Sequence, residues 1–456
     1  MNVTLPYGPA TLEATLPDRT VVLSNEDPKI APLADLDAAL REALAKPAGL
    51  PRIADLVGPG ASVAIAFDDA TVPFYGPVRG LAITAVLEEL EAAGVPRRNV
   101  TLICANALHR MFRPEELARL IGEDLVREFG PRLICHDAED PASLVDLGAT
   151  SPHGYPVEVH RLAVESDLLV YVNARYLRGF SGGWKSVVVG LSTYKSIKLH
   201  HTPDGMSMSL HGNRMHAMLD EMGAHLEART GRRVFKIDTI AANVFEAARV
   251  FAGSVDATRR LALDALEALT PPRRQLAREP IDVFVYGVPD YSPYAIWSHP
   301  NPILTLVSYG LGYLGGVVEA LGRRGCTVIM ATPVPDRWDE VHHPSYREVW
   351  ERLLPVTRDP YRLMHEHADA FAARPDYIEK YRHAFAFHPV HGIMATYPLK
   401  RLHHVGRVIV AGPEDPAVPR HLGFETAPSV EDAIRRAEAI HGAGCAIACV
   451  KQPATI

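Results

Sequence analysis

Cysteine is scarce and scattered. The five in 456 residues (Cys104, Cys135, Cys326, Cys445, Cys449) are odd in number and lack C-x-x-C spacing. That pattern argues against a disulfide frame and a zinc knuckle and for reduced thiols in cores. Basic blocks are missing as well: Lys+Arg 47 against Asp+Glu 54 gives a formal charge of −7. The electrostatic footprint of a nucleic-acid binder is therefore absent, and a small-molecule partner is expected. No apolar run reads as long enough to span a bilayer, and the start, Met1–Gly8, has neither the basic nor the apolar region of a signal peptide. A cytoplasmic protein without a membrane partner is the expectation. Internal repeats and low-complexity tracts are also lacking.

What is present is alternation. Short apolar strands (Ser62 to Ala66, Val100 to Ile103, Leu168 to Val172) alternate with amphipathic segments near Leu81 to Ala93 and Pro114 to Glu128. This predicts an α/β domain with a largely parallel sheet, its functional loops at the carboxyl ends of the strands. Asp69, His109 and Arg175 each follow such a strand and would gather on one sheet edge. A helix over Val255 to Leu269 runs into a charged, proline-containing junction at Thr270–Arg274, and a second α/β unit opens at Ile281–Tyr286 and continues through Cys326 to Met330 and Arg407 to Ala411. The boundaries expected are 1–270 for the first domain, 271–280 for a linker and 281–456 for the second, with the active-site cleft between the domains.

Between Tyr171 and Thr202 the chain reads Y-V-N-A-R-Y-L-R-G-F-S-G-G-W-K-S-V-V-V-G-L-S-T-Y-K-S-I-K-L-H-H-T. Gly182 and Gly183 allow backbone to approach a ligand closely. On these residues alone Lys185 has two readings: a partly desolvated amine that acts as a covalent nucleophile, or a surface lysine lying over Trp184.

The segment G-F-S-G-G-W-K, with His201 downstream, resembles the signature of the lactate racemase family, the nickel-pincer nucleotide enzymes. Phe67-Asp68-Asp69-Ala70-Thr71-Val72-Pro73 resembles that family's D-x-T-R-P turn, and Cys104-Ala105-Asn106-Ala107-Leu108-His109-Arg110 its A-N-G-T-H-R turn. The resemblance implies a first domain that binds the cofactor, a pyridinium mononucleotide joined to Lys185 through a thioamide and gripping nickel. It implies His201 as the nickel ligand and His109 as a general base, with Asp69, Thr71, Asn106, Ser181, Gly182 and Gly183 beside the cofactor and Arg110 at the substrate. The activity implied is racemisation or epimerisation of a 2-hydroxy acid by hydride transfer, with the cofactor-making enzymes as partners.

Departures from the family pattern are expected to matter. Arg175 stands where the family has its second base, and an arginine cannot accept a proton; a carboxylate clamp is its expected role. Val72 replaces the arginine of D-x-T-R-P. Tyr176, His200 and His299 are the candidates to serve the second face. In the second domain Gly287–Tyr294 is similar to the family's G-G-Y-P turn, which places Tyr294, Trp297 and His299 at the substrate. The histidine pairs His342-His343 and His388 with His391 read as solvated loop residues rather than a metal site. Two other functions compete: a relative that binds the nucleotide or a hydroxy acid without racemising it, and a divalent-metal lyase or hydrolase using the histidine pairs.

Overall fold

The computed structural model describes residues 1–24, 30–206, 208–269 and 280–451. The chain forms two compact units. One comprises Pro28–Pro271 with Tyr381–Phe385, the other Met1–Asp27, Pro272–Lys380 and Ala386–Thr455.

In the first unit, strands Val63–Asp68 and Leu168–Asn173 are buried at every position. Such continuous apolar strands suit the middle of a parallel sheet covered on both faces. The sheet order is Ala247–Ser254, Val234–Ala241, Leu168–Asn173, Val63–Asp68, Val100–Ala105, Leu133–Cys135. All neighbours are parallel except the edge pair of Val234–Ala241 with Ala247–Ser254. From Val63–Asp68 the chain first builds outward to Leu133–Cys135, then returns to lay Leu168–Asn173 on the other side. The order thus reverses between Val63–Asp68 and Leu168–Asn173, the position where open α/β sheets leave a crevice at the strand carboxyl ends. The loops there begin at Asp69 and Ala174.

The helix expected near Leu81 runs Val78–Ala92. The one expected over Pro114–Glu128 is two, Pro114–Ile121 and Glu123–Phe129, because Gly122 adopts φ +97 between them.

The second unit holds a six-stranded parallel sheet: Glu425–Ala427, Arg407–Ala411, Gly322–Ala331, Ile281–Gly287, Ile447–Lys451, Val21–Ser24. Its edge strand corrects the sequence boundary, which had placed the whole stretch 1–270 in one domain. Val21–Ser24 extends this second sheet by pairing with Ile447–Lys451. Ahead of it, the hairpin Asn2–Tyr7 with Ala10–Thr15 buries Val3, Leu5 and Ala14 in the core of Val283, Val285, Ile329 and Ile409. The expected linker, 271–280, lies outside the described residues up to 279. A further correction concerns apolar length: the helical stretch Ile303–Leu321 is long and apolar enough to cross a bilayer, yet 67% of its apolar window is buried inside the protein. Burial of that kind is what a core helix requires.

Candidate active site

The turn after Val63–Asp68 is built around Arg79, which is wholly buried. Its guanidinium donates to the carbonyls of Asp68 (2.9 Å), Phe74 (2.7 Å), Asp69 (3.1 Å) and Val72 (2.9 Å). One planar cation thereby satisfies the carbonyls of a tight, buried turn. The Asp68 carboxylate accepts from Tyr171 Oη (2.9 Å) and from the amide of Ala174 (2.8 Å), joining the two loops at the point where the strand order reverses. Burial raises the Asp68 carboxyl, and Arg79 with these hydrogen bonds opposes the rise.

Asp69 faces the other way. Its Oδ1 accepts from the amide (3.0 Å) and hydroxyl (2.6 Å) of Thr71, and its Oδ2 lies 2.8 Å from His109 Nδ1. Burial works against ionisation, but His109 and Thr71 outweigh it and hold Asp69 below the usual carboxylate range. His109 reaches this position because Asn106, fully buried, ties the turn: its Nδ2 donates to the carbonyls of His109 (3.1 Å) and His136 (3.0 Å). Ala107 is held at φ +48, a left-handed conformation a non-glycine residue adopts only under constraint. An ionised carboxylate on Nδ1 fixes that nitrogen as the donor, so Nε2 carries the lone pair. With a side chain 22% exposed, His109 is an oriented base open to solvent.

The glycine loop is held by its carbonyls. Gly179 O accepts from Asn213 Nδ2 (3.0 Å), Phe180 O from His216 Nε2 (3.0 Å), Ser181 O from Arg259 Nη1 (3.1 Å) and Gly183 O from Lys236 Nζ (3.0 Å). Glycine is required twice in sequence: at φ +76 a Cβ on Gly182 would lie 2.0 Å from the Tyr176 ring, and at φ +56 one on Gly183 would lie 2.6 Å from Arg259 Cδ. The amides of Ser181 and Gly182 have no acceptor among the described residues. Trp184 does not underlie Lys185. Its indole is buried against Gly223 and donates to Asp256 (3.1 Å).

Lys185 opens a helical turn, Lys185–Val188, and is half-buried. Its Nζ lies 4.5 Å over the Phe180 ring and forms no hydrogen bond or ion pair among the described residues. Burial lowers its pKa and the nearby Lys236 charge adds to this, while Asp68 and Asp69 pull the other way. Further along, His200 is fully buried and its Nδ1 lies 2.7 Å from His201 Nδ1. Burial, with Lys185 nearby, pushes His200 down to about 3, so the ring is neutral. His201 is half-buried. The two rings meet edge to face, their centroids 4.8 Å apart.

Residues 7–210 match the lactate racemase N-terminal domain. The chain is 26% identical to the lactate racemase of Lactiplantibacillus plantarum over 275 residues, 59% of this chain and 63% of that protein. It is 29% identical to the lactate racemase of Thermoanaerobacterium thermosaccharolyticum over 205 residues, 44% and 46% of the two chains. The lactate racemase apoprotein structure from the latter organism has a TM-score of 0.69 at 19% identity, covering 99% of this chain and 98% of that one. The first part of the chain thus resembles the lactate racemases. Its sequence match spans less than two thirds of those relatives' lengths.

Against the family pattern, several residues take other places. Arg110 is not free for a substrate: its Nη1 and Nη2 form a bidentate pair with Glu116 (2.9 and 2.6 Å), buried and lying over Phe112. Ser181 Oγ is used within the loop, accepting from Leu177 N (2.6 Å) and donating to Arg175 O (3.1 Å). Tyr176 cannot serve the second face. It is buried, and its hydroxyl donates to Asp238 Oδ2 (3.2 Å) beneath the loop. His200 is withdrawn from substrate by its burial. Arg175, 8% exposed, sends Nη1 to Pro73 O (2.9 Å). It therefore brings a cation to the turn that carries Val72.

In the second unit the histidines expected to be solvated are buried: His343 1%, His388 0% and His391 5% exposed. His343 Nε2 donates to Tyr294 O (2.8 Å), Tyr346 Oη bonds His391 Nδ1 (2.5 Å) and His343 stacks on Phe387. They are parts of an aromatic core, and no grouping of three His, Cys, Asp or Glu side chains that could hold a metal ion occurs among the described residues. Trp297 is exposed at φ +59, and His299 keeps a buried Nδ1 without a hydrogen-bond partner. Sequence reading missed Lys236 and Asp238, whose partners Gly183, Ser186 and Tyr176 lie far along the chain, and Arg79, whose acceptors are carbonyls of the turn just before it.

Buried histidines around the first unit's site give a pH test. Burial lowers His136 and His216 to about 3 and His160 to about 4. Unfolded histidine titrates near ~6.5, so below that pH the unfolded chain binds more protons. Stability is lost as pH falls from ~6.5 toward 4. The loss at pH 5 is about 2 kcal/mol per histidine, an upper figure for burial of this kind. Urea midpoints followed by tryptophan fluorescence should fall steeply between pH 7 and 5. Equal midpoints would show that these rings charge freely in the folded state.

Proposed function

We propose that the chain is a 2-hydroxy-acid racemase or epimerase working with a nickel-pincer nucleotide attached to Lys185 and supplied by cofactor-making enzymes. One observation carries the reading: the Lys185 amine is half-buried, lowered in pKa by burial and without a hydrogen bond or ion pair among the described residues, in the same unit as the Asp69–His109 pair. The residues present fit the group. A free amine suits a covalent tether. The unbound amides of Ser181 and Gly182 suit an anionic phosphate. His201, a half-buried imidazole, would be the protein's donor to nickel, a metal that imidazole nitrogen suits.

When bound, the nucleotide supplies the hydride acceptor and the metal. The chain's part is positioning and proton transfer. His109 Nε2 takes the substrate hydroxyl proton, and Asp69 holds the ring's orientation and stabilises the imidazolium. Arg175 clamps the substrate carboxylate on the other side. Of the three candidates for the second face, Tyr176 and His200 are withdrawn into the interior of the first unit.

The alternative of a non-racemising relative is favoured by one feature, Arg175 at the second base's position. Intact-mass measurement of protein co-produced with the cofactor-making enzymes, followed by a screen of single-enantiomer 2-hydroxy acids, separates the two: adduct with racemisation supports the enzyme, adduct with binding alone supports the relative. In the same preparations His201→Ala should keep the mass increment but lose nickel on gel filtration, because tether and ligand are different residues. Equal nickel content in both proteins would remove His201 as a ligand.

A further inference from the structure

Beneath the glycine loop lies a second lysine that neither the tether nor the proton relay uses. Lys236 and Asp238 alternate on strand Val234–Ala241 and so share one face of the sheet. Both side chains are 0% exposed and form an ion pair at 3.1 Å. Lys236 Nζ also donates to Gly183 O (3.0 Å) and Ser186 Oγ (2.8 Å). Asp238 Oδ2 accepts from Tyr176 Oη (3.2 Å), and the Tyr176 hydroxyl oxygen in turn accepts from Gly183 N (3.3 Å). Both backbone groups of Gly183 therefore end on one buried network rooted in Lys236 and Asp238, and Ser186 is caught by the same ammonium. Lys185 lies between these two anchored residues.

Keeping a full charge pair dry is costly, and a methionine of similar length would fill the strand position without it. The network's contacts run to the loop, which is where its return lies. The titratable groups facing Lys185 are Asp68, Asp69, Lys236, His200 and His216. Burial lowers the Lys236 pKa, and the ion pair with Asp238 opposes that fall.

We propose that Lys236 is a positioning residue for Lys185: anchored by Asp238, it fixes Gly183 and Ser186 on either side so that the Lys185 amine stays clear of acceptors and open to an incoming acyl group. The inference rests on Lys185 being the covalent anchor, but its test does not need the cofactor. The probe is the N-hydroxysuccinimide ester of acetic acid on protein made without the cofactor-making enzymes. The amine nitrogen bonds the acyl carbon, the ester C–O bond breaks, N-hydroxysuccinimide leaves and the proton goes to water. Peptide mass spectrometry follows acetylation of Lys185 from pH 6 to 10 against exposed Lys46 as internal reference.

In wild type, Lys185 should acetylate with a midpoint below that of Lys46, since each unit of depression is worth about tenfold in free amine at neutral pH. The Lys236→Met/Asp238→Asn double variant removes the charge pair together, leaving no unpaired buried ion. There the released loop lets the Lys185 amine take up acceptors, so its midpoint should rise and its rate at pH 7 relative to Lys46 should fall. A merely structural lysine would lower thermal stability without moving that profile. A double variant that is folded by circular dichroism and acetylates Lys185 with the wild-type profile overturns the proposal. Should the double variant not fold, Ser186→Ala decides: losing one Lys236 contact should slow Lys185 at pH 7 relative to Lys46, and an unchanged rate overturns the proposal equally. Failure of the anchor reading looks different, as a wild-type protein that takes up no cofactor although its Lys185 acetylation still depends on Lys236.

Discussion

Replacing Lys185 with alanine should abolish the cofactor mass increment and every trace of racemase turnover while leaving the fold in place. The loss is complete rather than graded because the tether has no understudy. Lys236, the other lysine at the loop, is committed to Gly183 O, Ser186 Oγ and Asp238. The fold survives because the Lys185 side chain ties no other element among the described residues: its amine lies over the face of Phe180 at 4.5 Å. Such a cation–π contact at a half-buried site is worth about 1 kcal/mol. Thermal midpoints of wild type and variant should therefore nearly coincide. An adduct of unchanged mass on the alanine variant would place the cofactor elsewhere and remove the proposed mechanism. Arginine at this position is a sharper control, since it keeps the charge and length but cannot be acylated at neutral pH.

The parts of this site that were legible in the sequence are those whose meaning is local. Gly182 and Gly183 announce a left-handed turn wherever they fall, and Asp69, His109 and Arg175 each follow an apolar run that can only be a buried strand. The parallel sheet and its loop edge follow from that alternation. What stayed hidden depends on which partner a charged side chain finds. Arg110, expected at the substrate, is closed in a fork by Glu116. Lys236 and Asp238, in V-F-K-I-D-T-I, alternate as the polar face of a strand would, and only the covering loop makes that face an interior. Strand Val21–Ser24 carries no mark of which sheet it will extend, because an edge position is decided by the strand already there. The second unit's histidines were misread for a related reason: polarity of residue type argues for solvent, whereas aromatic stacking and single carbonyl acceptors suffice to bury them.

His109→Ala should lower turnover in both directions by about 10²–10⁴-fold, the usual worth of a single general base. Both directions fall together because each racemisation cycle passes the hydroxyl proton across the His109 face once. Asp69→Asn should follow in the same sense with a smaller loss: the ring remains, but the carboxylate that fixes Nδ1 as donor at 2.8 Å is replaced by an amide able to present either end. In both variants KM should change little, since neither residue binds the substrate carboxylate. Arg175→Ala is expected to do the reverse, raising KM with a modest change in kcat. The contrast between the three variants assigns the roles, because a loop disturbed by the loss of the Arg175–Pro73 contact would depress kcat along with KM. If Arg175→Ala binds and turns over substrate as wild type does, the cation at the Val72 turn is scaffolding, and carboxylate recognition has to come from outside that loop. If His109→Ala keeps its rate, the Asp69–His109 pair is a structural clasp between two loops rather than a base with its orienting acid.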